Sequence, residues 1–507
     1  MPAGSTILEA ARVLGIEIPT LCYRQGCEPS TSCMVCVVRV HGKSGLVPAC
    51  STEVTPGMVV ENDTEEIHEA RRTALELLLS DHVGDCAGPC RTGCPAGMDI
   101  PRMIRQIAAG RFREAIETVK ADIALPAAMG RVCPAPCEKI CRRAQHDQAV
   151  GICLLKRFVA DMDLNSASPF VPECAPEKDG SVAIVGGGPA GLAAAYALVR
   201  AGYACTLFEK QARLGGGLRD ASLAQKLPSS VLDAEIETLR HERLTICTGR
   251  EIGIDRPWSS LRQAFDAVFL ATGRVVESAV SELGLAVRDD RIVIEQSTFE
   301  TSIRGIFAGG NVTGRKRHLG IRALAHGKHA AVAIDHYLAG RPVVGKDPPL
   351  NCRMGPLQET EMAVFMKLAD PQTRIDVQEE NGFNNRQAQA EAGRCLHCDC
   401  RQAEDCLLRR HAGAYHASIR AYRNPRRKFE QDLDHPEVIF EPGKCIGCGL
   451  CIQIAQQHGE PLGLALTGRG FDVRVSVPFG RTLAEGLKHS AGAVVEACPT
   501  GAMAFRK

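Results

Sequence analysis

Residues Ser181–Lys210 read SVAIVGGGPAGLAAAYALVRAGYACTLFEK. An apolar run of strand character leads into Gly186-x-Gly188-x-x-Gly191, and a helix of small residues follows. A second apolar run then ends on Glu209. Strand, glycine loop, helix, strand and acid occur in the order of a dinucleotide-binding βαβ unit. The glycines let the backbone approach a pyrophosphate at the helix N-terminus, and Glu209 is placed to hydrogen-bond a ribose. A glycine loop alone is a weak signal. With its strand, helix and acid in place it decides an α/β nucleotide-binding fold, and a mere glycine-rich packing turn carries little weight against it.

The chain has 507 residues, enough for several units of the usual ~100–150 residues. Its 60 basic and 59 acidic residues leave a net charge of +1, with no long run of either sign. Neither nucleic acid nor an anionic membrane is indicated as a partner. The N-terminus, MPAGSTILEAARVLG, has no basic segment followed by an apolar core, so no export signal is read and a cytoplasmic location is expected. No apolar run suits membrane insertion; the nearest, Val182 to Val199, is rich in glycine and alanine.

Cysteine decides the class. There are 24, many closely spaced, and inside a cell such clusters point to metal or catalysis rather than disulfides. The first group is Cys22, Cys33, Cys36 and Cys50, with Cys27 in the loop not expected to be a ligand. Soft thiolates on an irregular loop can wrap a small iron–sulfur cluster, with zinc the alternative that the long first gap disfavours. The second group comprises His82, Cys86, Cys90 and Cys94, then Cys133, Cys137 and Cys141. Between its halves, IPRMIRQIAAGRFREAIETVKAD has the three- and four-residue apolar steps of amphipathic helices. The third, RCLHCDCRQAEDC, supplies Cys395, Cys398, Cys400 and Cys406; spacing leaves zinc and [4Fe-4S] both open, with iron–sulfur favoured by its company. The last is Cys445, Cys448, Cys451 and Cys498.

TILEAARVLGIEIPTLC and the cysteines after it resemble the [2Fe-2S] domain that opens the large iron–sulfur subunit of NADH dehydrogenase and of related formate dehydrogenases and hydrogenases. Such domains begin with a β-hairpin, so either the hairpin is missing here or the start is internal, and the expectation favours a start upstream of this one. CPAPCEKIC and GRFREAIE resemble the N-terminal region of the small subunit of NADPH-dependent glutamate synthase, which occurs also in dihydropyrimidine dehydrogenase. That resemblance implies two [4Fe-4S] clusters, one on Cys86, Cys90 and Cys141 and one on Cys94, Cys133 and Cys137. His82 stands where that family has a cysteine, and His-x3-Cys is also similar to a histidine-ligated cluster of the NADH dehydrogenase subunit, so His82 is a candidate ligand. Lys156 stands where the family has glutamine or glutamate. It is a poor ligand while protonated, and Cys153, on the same face of a helical GICLLKRFVAD, is expected instead.

LGGGLRD, FDAVFLATG and GIFAGGNV resemble successive FAD segments of the same glutamate synthase subunit. The resemblance implies FAD contacts at Gly216, Leu218, Gly273, Gly310 and Asn311. Asn311 replaces the usual aspartate. The helix HLGIRALAHGKHAAVAIDHYL would direct its positive end at the flavin. In that family a second, nicotinamide-binding fold separates the last two segments; here about thirty residues do, too few for a domain of ~100.

EPGKCIGCGLC, RGFDVRVSVPFG and ACPTGA resemble the ferredoxin domain of the NADH dehydrogenase and formate dehydrogenase large subunits. Two-cluster ferredoxins interleave their ligands, each run giving its last cysteine to the other cluster. Stepping through that spacing, one complete ligand set falls on Ala455, Lys488, Ala491 and Val494. One whole cluster is deleted, and the set ending at Cys498 is kept.

The expected fold is multidomain α/β. It comprises a β-grasp-like [2Fe-2S] domain (1–75), a helical double-[4Fe-4S] domain (76–175), a Rossmann-like FAD domain (178–342), a connector with a cysteine motif (343–425) and a ferredoxin-like [4Fe-4S] domain (426–507). DPPLNCRMGP reads as part of the connector, and RRKFEQDLDHPEV as a solvated helix and turn. FAD, one [2Fe-2S] and about four [4Fe-4S] clusters amount to about 18 Fe per chain. No catalytic acid–base pair or nucleophile is evident. The expected role is an electron-transfer subunit working between a catalytic partner (a dehydrogenase, a hydrogenase or a molybdenum/tungsten enzyme) and a ferredoxin or NAD(P)-binding partner. The rival is a self-contained NAD(P)H:acceptor oxidoreductase. A redox sensor is disfavoured because no output domain is recognised.

Overall fold

Strand Ser181–Val185 lies at the centre of a five-stranded parallel sheet in the computed structural model. The order is Leu244–Thr248, Ala204–Glu209, Ser181–Val185, Ala267–Leu270, Ile306–Ala308. Both faces are covered, which is why the strand is apolar throughout. Val182 and Ile184 pack into one core with helices Pro189–Arg200 and Gly320–Leu338, while Ala183 and Val185 face Trp258 and Leu261 on the other side. The two helices approach so closely that a Cβ on Gly327 would lie 2.0 Å from the carbonyl oxygen of Ala190. The chain builds the sheet outward from this strand in one direction and then the other. The crevice at that reversal is where open α/β sheets bind ligands.

The described residues are 1–2, 4–314, 320–345, 349–377, 382–422 and 425–506. The expected start of the flavin-facing helix at His318 and Leu319, and the connector pieces 346–348 and 378–381, lie outside them. Two compact units result: Met1–Gly88 with Pro348–Lys367 and Cys398–Lys507, and Pro89–Asp347 with Leu368–His397.

The second unit holds the sheet and a helical layer, Ile100–Ala108, Phe112–Lys120, Pro126–Val132 and Ile152–Leu164, joined by Asn385–Gly393. The helices and one face of the sheet share a single core. A buried ion pair, Lys120 to Asp163 at 2.6 Å, ties two of these helices. Glu235 anchors another, its carboxylate accepting from the N–H groups of Ala127 and Ala128 at the start of Pro126–Val132. Those donors have no intrahelical partner, so the carboxylate replaces a cap.

In the first unit, helix Ile7–Val13 starts in a Thr6/Glu9 capping box, and strand Val37–Val40 pairs antiparallel with Leu46–Pro48 and Val60–Glu61. Its C-terminal part contains two antiparallel pairs, Val438–Phe440 with Met503–Phe505 and Ala465–Thr467 with Arg474–Ser476. Helices Leu450–Gln457 and Ala491–Ala497 pack beside them. Ala455, Ala491 and Val494, three of the four positions where ferredoxin spacing would put a second cluster's ligands, are buried in one apolar core with Leu464, Val475 and Leu487; Lys488 is exposed.

RRKFEQDLDHPEV forms no helix, contrary to expectation. Arg426 forms a two-pronged pair with Glu361, which is inaccessible to solvent, and Phe429 stacks on Phe365 with ring centroids 4.5 Å apart. These tertiary contacts hold the segment extended.

Burial raises the Glu235 carboxyl from 4.5 to about 7, against the two N–H bonds and the nearby Lys120 and Arg131. Unfolded, the group loses its proton near 4.5; folded, near 7. The folded state holds more protons between those values, so stability falls as pH rises through that window. Wild type should lose about 3 kcal/mol there, seen as a falling urea midpoint. Glu235→Gln, which mimics the protonated form, should give a flatter curve; parallel curves would contradict the assignment.

Candidate cofactor and cluster sites

The glycine loop, Glu209 and the second glycine run meet at the C-terminal edge of the sheet. Gly186 follows strand Ser181–Val185, and helix Pro189–Arg200 begins at Gly188 with no side chain capping it, leaving N–H donors for a ligand. A Cβ on Gly191 would sit 1.9 Å from the Gly186 carbonyl oxygen, so only glycine lets the helix start this close to the strand. Glu209 is buried, and its carboxylate accepts from Gly187 N–H at 2.7 Å and Gln211 N–H at 2.8 Å. These bonds aim it along the loop and leave each oxygen one further lone pair. The Gly187 carbonyl accepts from Gly215 N–H at 2.8 Å, and Gly216 packs on Gly188. Leu218 is buried in the short helix Gly216–Arg219. Gly310 follows strand Ile306–Ala308, lies beside Ala190 and donates its N–H to His326 Nδ1 at 3.2 Å. Asn311 opens the next short turn, and Gly273 ends the Ala267–Leu270 strand segment with open space beside it. Donors at a helix start, a buried acid and glycines where a Cβ would intrude fit a dinucleotide such as FAD.

In the first unit three cysteine arrays form. Cys22, Cys33, Cys36 and Cys50 are all buried; the Cys22 and Cys33 sulfurs are 3.3 Å apart, and the Cys36 and Cys50 thiols hydrogen-bond to each other. Cys27 points elsewhere, accepting a long bond from Gln457 at 3.8 Å. Cys445, Cys448, Cys451 and Cys498 line one enclosed pocket. The third array was not expected: Cys352 N–H donates to the Cys86 sulfur at 3.4 Å, Cys400 N–H donates to the Cys86 carbonyl at 3.2 Å, and Cys86, Cys352 and Cys406 share one packed core.

In the second unit Cys133 hydrogen-bonds to Cys153, and Cys153 also to Cys137. The bond with Cys133 lowers the Cys153 thiol, while the bond with Cys137 and burial raise it to about 11. Lys156 is buried with its ammonium 4.0 Å from Cys153; burial works against its charge, and Cys153, Cys133, Cys94 and Cys137 outweigh that, so its pKa rises. Cys94, Cys133, Cys137 and Cys153 thus surround a lysine that stays charged. Cys90, on helix Pro89–Gly93, and Cys141 and Cys395 pack against the same core. Arg143, just after Cys141, donates to the backbone oxygen of Arg394, just before Cys395, at 3.1 Å.

Cys86 is held beside Cys352, because backbone and side-chain hydrogen bonds lace residues 85–87 to the stretch from Asn351 to Met354. Of the Cys395 to Cys406 group, Cys395 packs against the core of the second unit, and Cys398, Cys400 and Cys406 belong to the first unit. His82 is half-buried in a cleft lined also by Asp81, Lys444 and Cys445; burial and then the Lys444 charge lower its pKa to about 4. Cys352 was missed because it stands alone in its stretch of sequence. Among the described residues no three Cys, His, Asp or Glu side chains could hold a single metal ion; a cluster, offering each thiolate its own iron, needs no such convergence.

Comparison with known families matches residues 1–65 to a 2Fe-2S iron-sulfur cluster binding domain. Residues 56–168 match dihydropyrimidine dehydrogenase domain II, 4Fe-4S cluster, and residues 163–335 match pyridine nucleotide-disulphide oxidoreductase. The chain is multidomain α/β and carries these redox domains. It is 41% identical over 189 residues to the NADPH-Fe(3+) oxidoreductase subunit beta of Geobacter sulfurreducens, covering 36% of this chain and 28% of that one. It is 36% identical over 254 residues to the NADP(+)-dependent formate dehydrogenase subunit beta of Moorella thermoacetica (46% and 35% covered). The glutamate synthase [NADPH] small chain of Mycobacterium tuberculosis is 38% identical over 192 residues (37% and 39% covered). The chain spans between about a quarter and two-fifths of the length of these relatives. Among the described residues no helix is long and apolar enough to cross a membrane.

Gly191→Val should abolish flavin retention, read as flavin absorbance per chain after desalting, with a destabilisation of roughly 1–3 kcal/mol from overpacking. Full flavin content in this variant would contradict the cradle.

Proposed function

We propose that this chain is an electron-transfer flavo-iron–sulfur subunit of a larger oxidoreductase. The observation that carries the reading is a dinucleotide cradle in a chain rich in buried cysteine arrays, with no room for a nicotinamide fold. Between Gly273 and Gly305 the described residues form one short helix, Glu277–Leu283, and isolated bridges. Bound FAD exchanges two electrons and each cluster one, so such a chain can split or merge electron pairs.

The chain's own groups hold and tune these centres. The start of helix Pro189–Arg200 receives the pyrophosphate, and Glu209 the ribose. Gly216, Leu218, Gly273, Gly310 and Asn311 shape the rest of the flavin cradle. Cys22, Cys33, Cys36 and Cys50 hold a [2Fe-2S] cluster on a β-grasp-like domain, and Cys445, Cys448, Cys451 and Cys498 a [4Fe-4S] cluster on a ferredoxin-like one. Cys94, Cys133, Cys137 and Cys153 hold another, with Lys156 as a buried countercharge, and Cys90, Cys141 and Cys395 line a further one. The chemistry on an organic substrate belongs to a partner: a dehydrogenase, hydrogenase or molybdenum/tungsten enzyme on one side, a ferredoxin or NAD(P)-binding subunit on the other. A cytoplasmic setting suits clusters that oxidation would destroy.

An anaerobic titration of the cluster-replete protein with NADH, then NADPH, then dithionite tests this. Bleaching of flavin and clusters by dithionite alone is expected. Rapid bleaching by either nicotinamide would overturn it in favour of a self-contained NAD(P)H:acceptor oxidoreductase.

A further inference from the structure

The third array of the first unit is assembled from three stretches of chain that the sequence keeps far apart. Cys86 N–H donates to the Cys352 carbonyl at 3.2 Å, Cys352 N–H donates to the Cys86 sulfur at 3.4 Å, and Cys400 N–H donates to the Cys86 carbonyl at 3.2 Å. Two flanking bonds fix the same register: Ala87 N–H to Asn351 Oδ1 at 2.9 Å, and Met354 N–H to Asp85 Oδ1 at 2.7 Å. Cys406 caps helix Leu407–Ala414, its sulfur accepting from Arg409 N–H at 3.4 Å. All four cysteines are buried, none more than 8% exposed.

A neutral thiol buries readily as a small hydrophobe, but the thiolates that bind a cluster need their charge answered. Positive charge is already in place. Lys444, 3% exposed and paired with Glu441, acts on both Cys86 and Cys400, and Arg409 acts on Cys86 and Cys352. Room has been made for Cys400 as well: a Cβ on Gly501 would lie 2.2 Å from its sulfur.

We propose that Cys86, Cys352, Cys400 and Cys406 together hold a [4Fe-4S] cluster, with Cys352 and not His82 as its fourth ligand. The site is the third station of a relay within this unit. Cys22, Cys33, Cys448, Cys86, Cys352 and Cys406 belong to one packed core. Cysteines of the [2Fe-2S] array, the ferredoxin array and this site thus share one core. One electron enters and one leaves at each station, and no proton or leaving group is involved.

The proposal extends the electron-transfer reading above, and its test reads iron, so either can fail while the other stands. Full-length protein is reconstituted anaerobically as wild type, Cys352→Ala, Cys352→Ser and His82→Ala. Iron and zinc are counted per chain, and dithionite-reduced samples are examined by electron paramagnetic resonance. Cys352→Ala should fall from about 18 to about 14 Fe and lose one reduced-cluster signal, while flavin absorbance and the [2Fe-2S] signal persist as proof of folding. Should the alanine variant not fold, Cys352→Ser should keep its fold and show an altered or absent signal from that one cluster. His82→Ala should match wild type. Unchanged iron and spectra in the Cys352 variants, iron loss on His82→Ala, or one zinc in place of four irons would each overturn the proposal.

Discussion

Thiolates are unwelcome in an apolar core unless something answers their charge, and most of this structure follows from that constraint. Two buried lysines supply part of the answer. Lys156 sits among Cys94, Cys133, Cys137 and Cys153, and Lys444 beside Cys86 and Cys400, each only 3% exposed. Neither could stay charged there on hydration alone; burial works against the ammonium in both, and sulfur and carboxylate neighbours outweigh it. A cation fixed this close to a thiolate array also stabilises an added electron, so the same two side chains that permit burial favour reduction.

The sheet answers a different constraint, that of bringing backbone donors against a phosphate-rich ligand. Close approach requires that nothing project from the contact, and glycine at 191 and 327 leaves the carbonyls of Gly186 and Ala190 unobstructed. The helix start, Glu209 and the Gly215–Gly216 turn then converge without any side chain having to reach. The cradle is a property of packing, and the ligand's polar groups would meet backbone first.

The C-terminal part of the first unit shows what remains when such a constraint is lifted. Where an interleaved second cluster would sit, Ala455, Ala491 and Val494 join Leu464, Val475 and Leu487 in a closed apolar core. Side-chain methyls now provide the cohesion that metal–sulfur bonds would otherwise give, and Lys488 turns to solvent. Cys445, Cys448, Cys451 and Cys498 line one pocket beside this core.

What the sequence determined by itself was local. Gly186, Gly188, Gly191 and Glu209 announced the sheet and its ligand class, because strand, turn and helix are encoded in consecutive residues. The arrays at Cys22–Cys50 and Cys445–Cys498 were legible because a Cys-x2-Cys pair is one turn of chain. The grouping of Cys153 with Cys133 and Cys137 was implied by the family resemblance, which puts a ligand at Lys156, and helical periodicity set Cys153 on the same face. Only the tertiary structure put Cys352 beside Cys86 and in one core with Cys406. Sequence spacing reports which thiols can meet within a turn or two of chain. Backbone hydrogen bonds between residues more than 250 positions apart, such as Cys86 to Cys352, leave no trace in spacing, and they fix the company that each sulfur keeps.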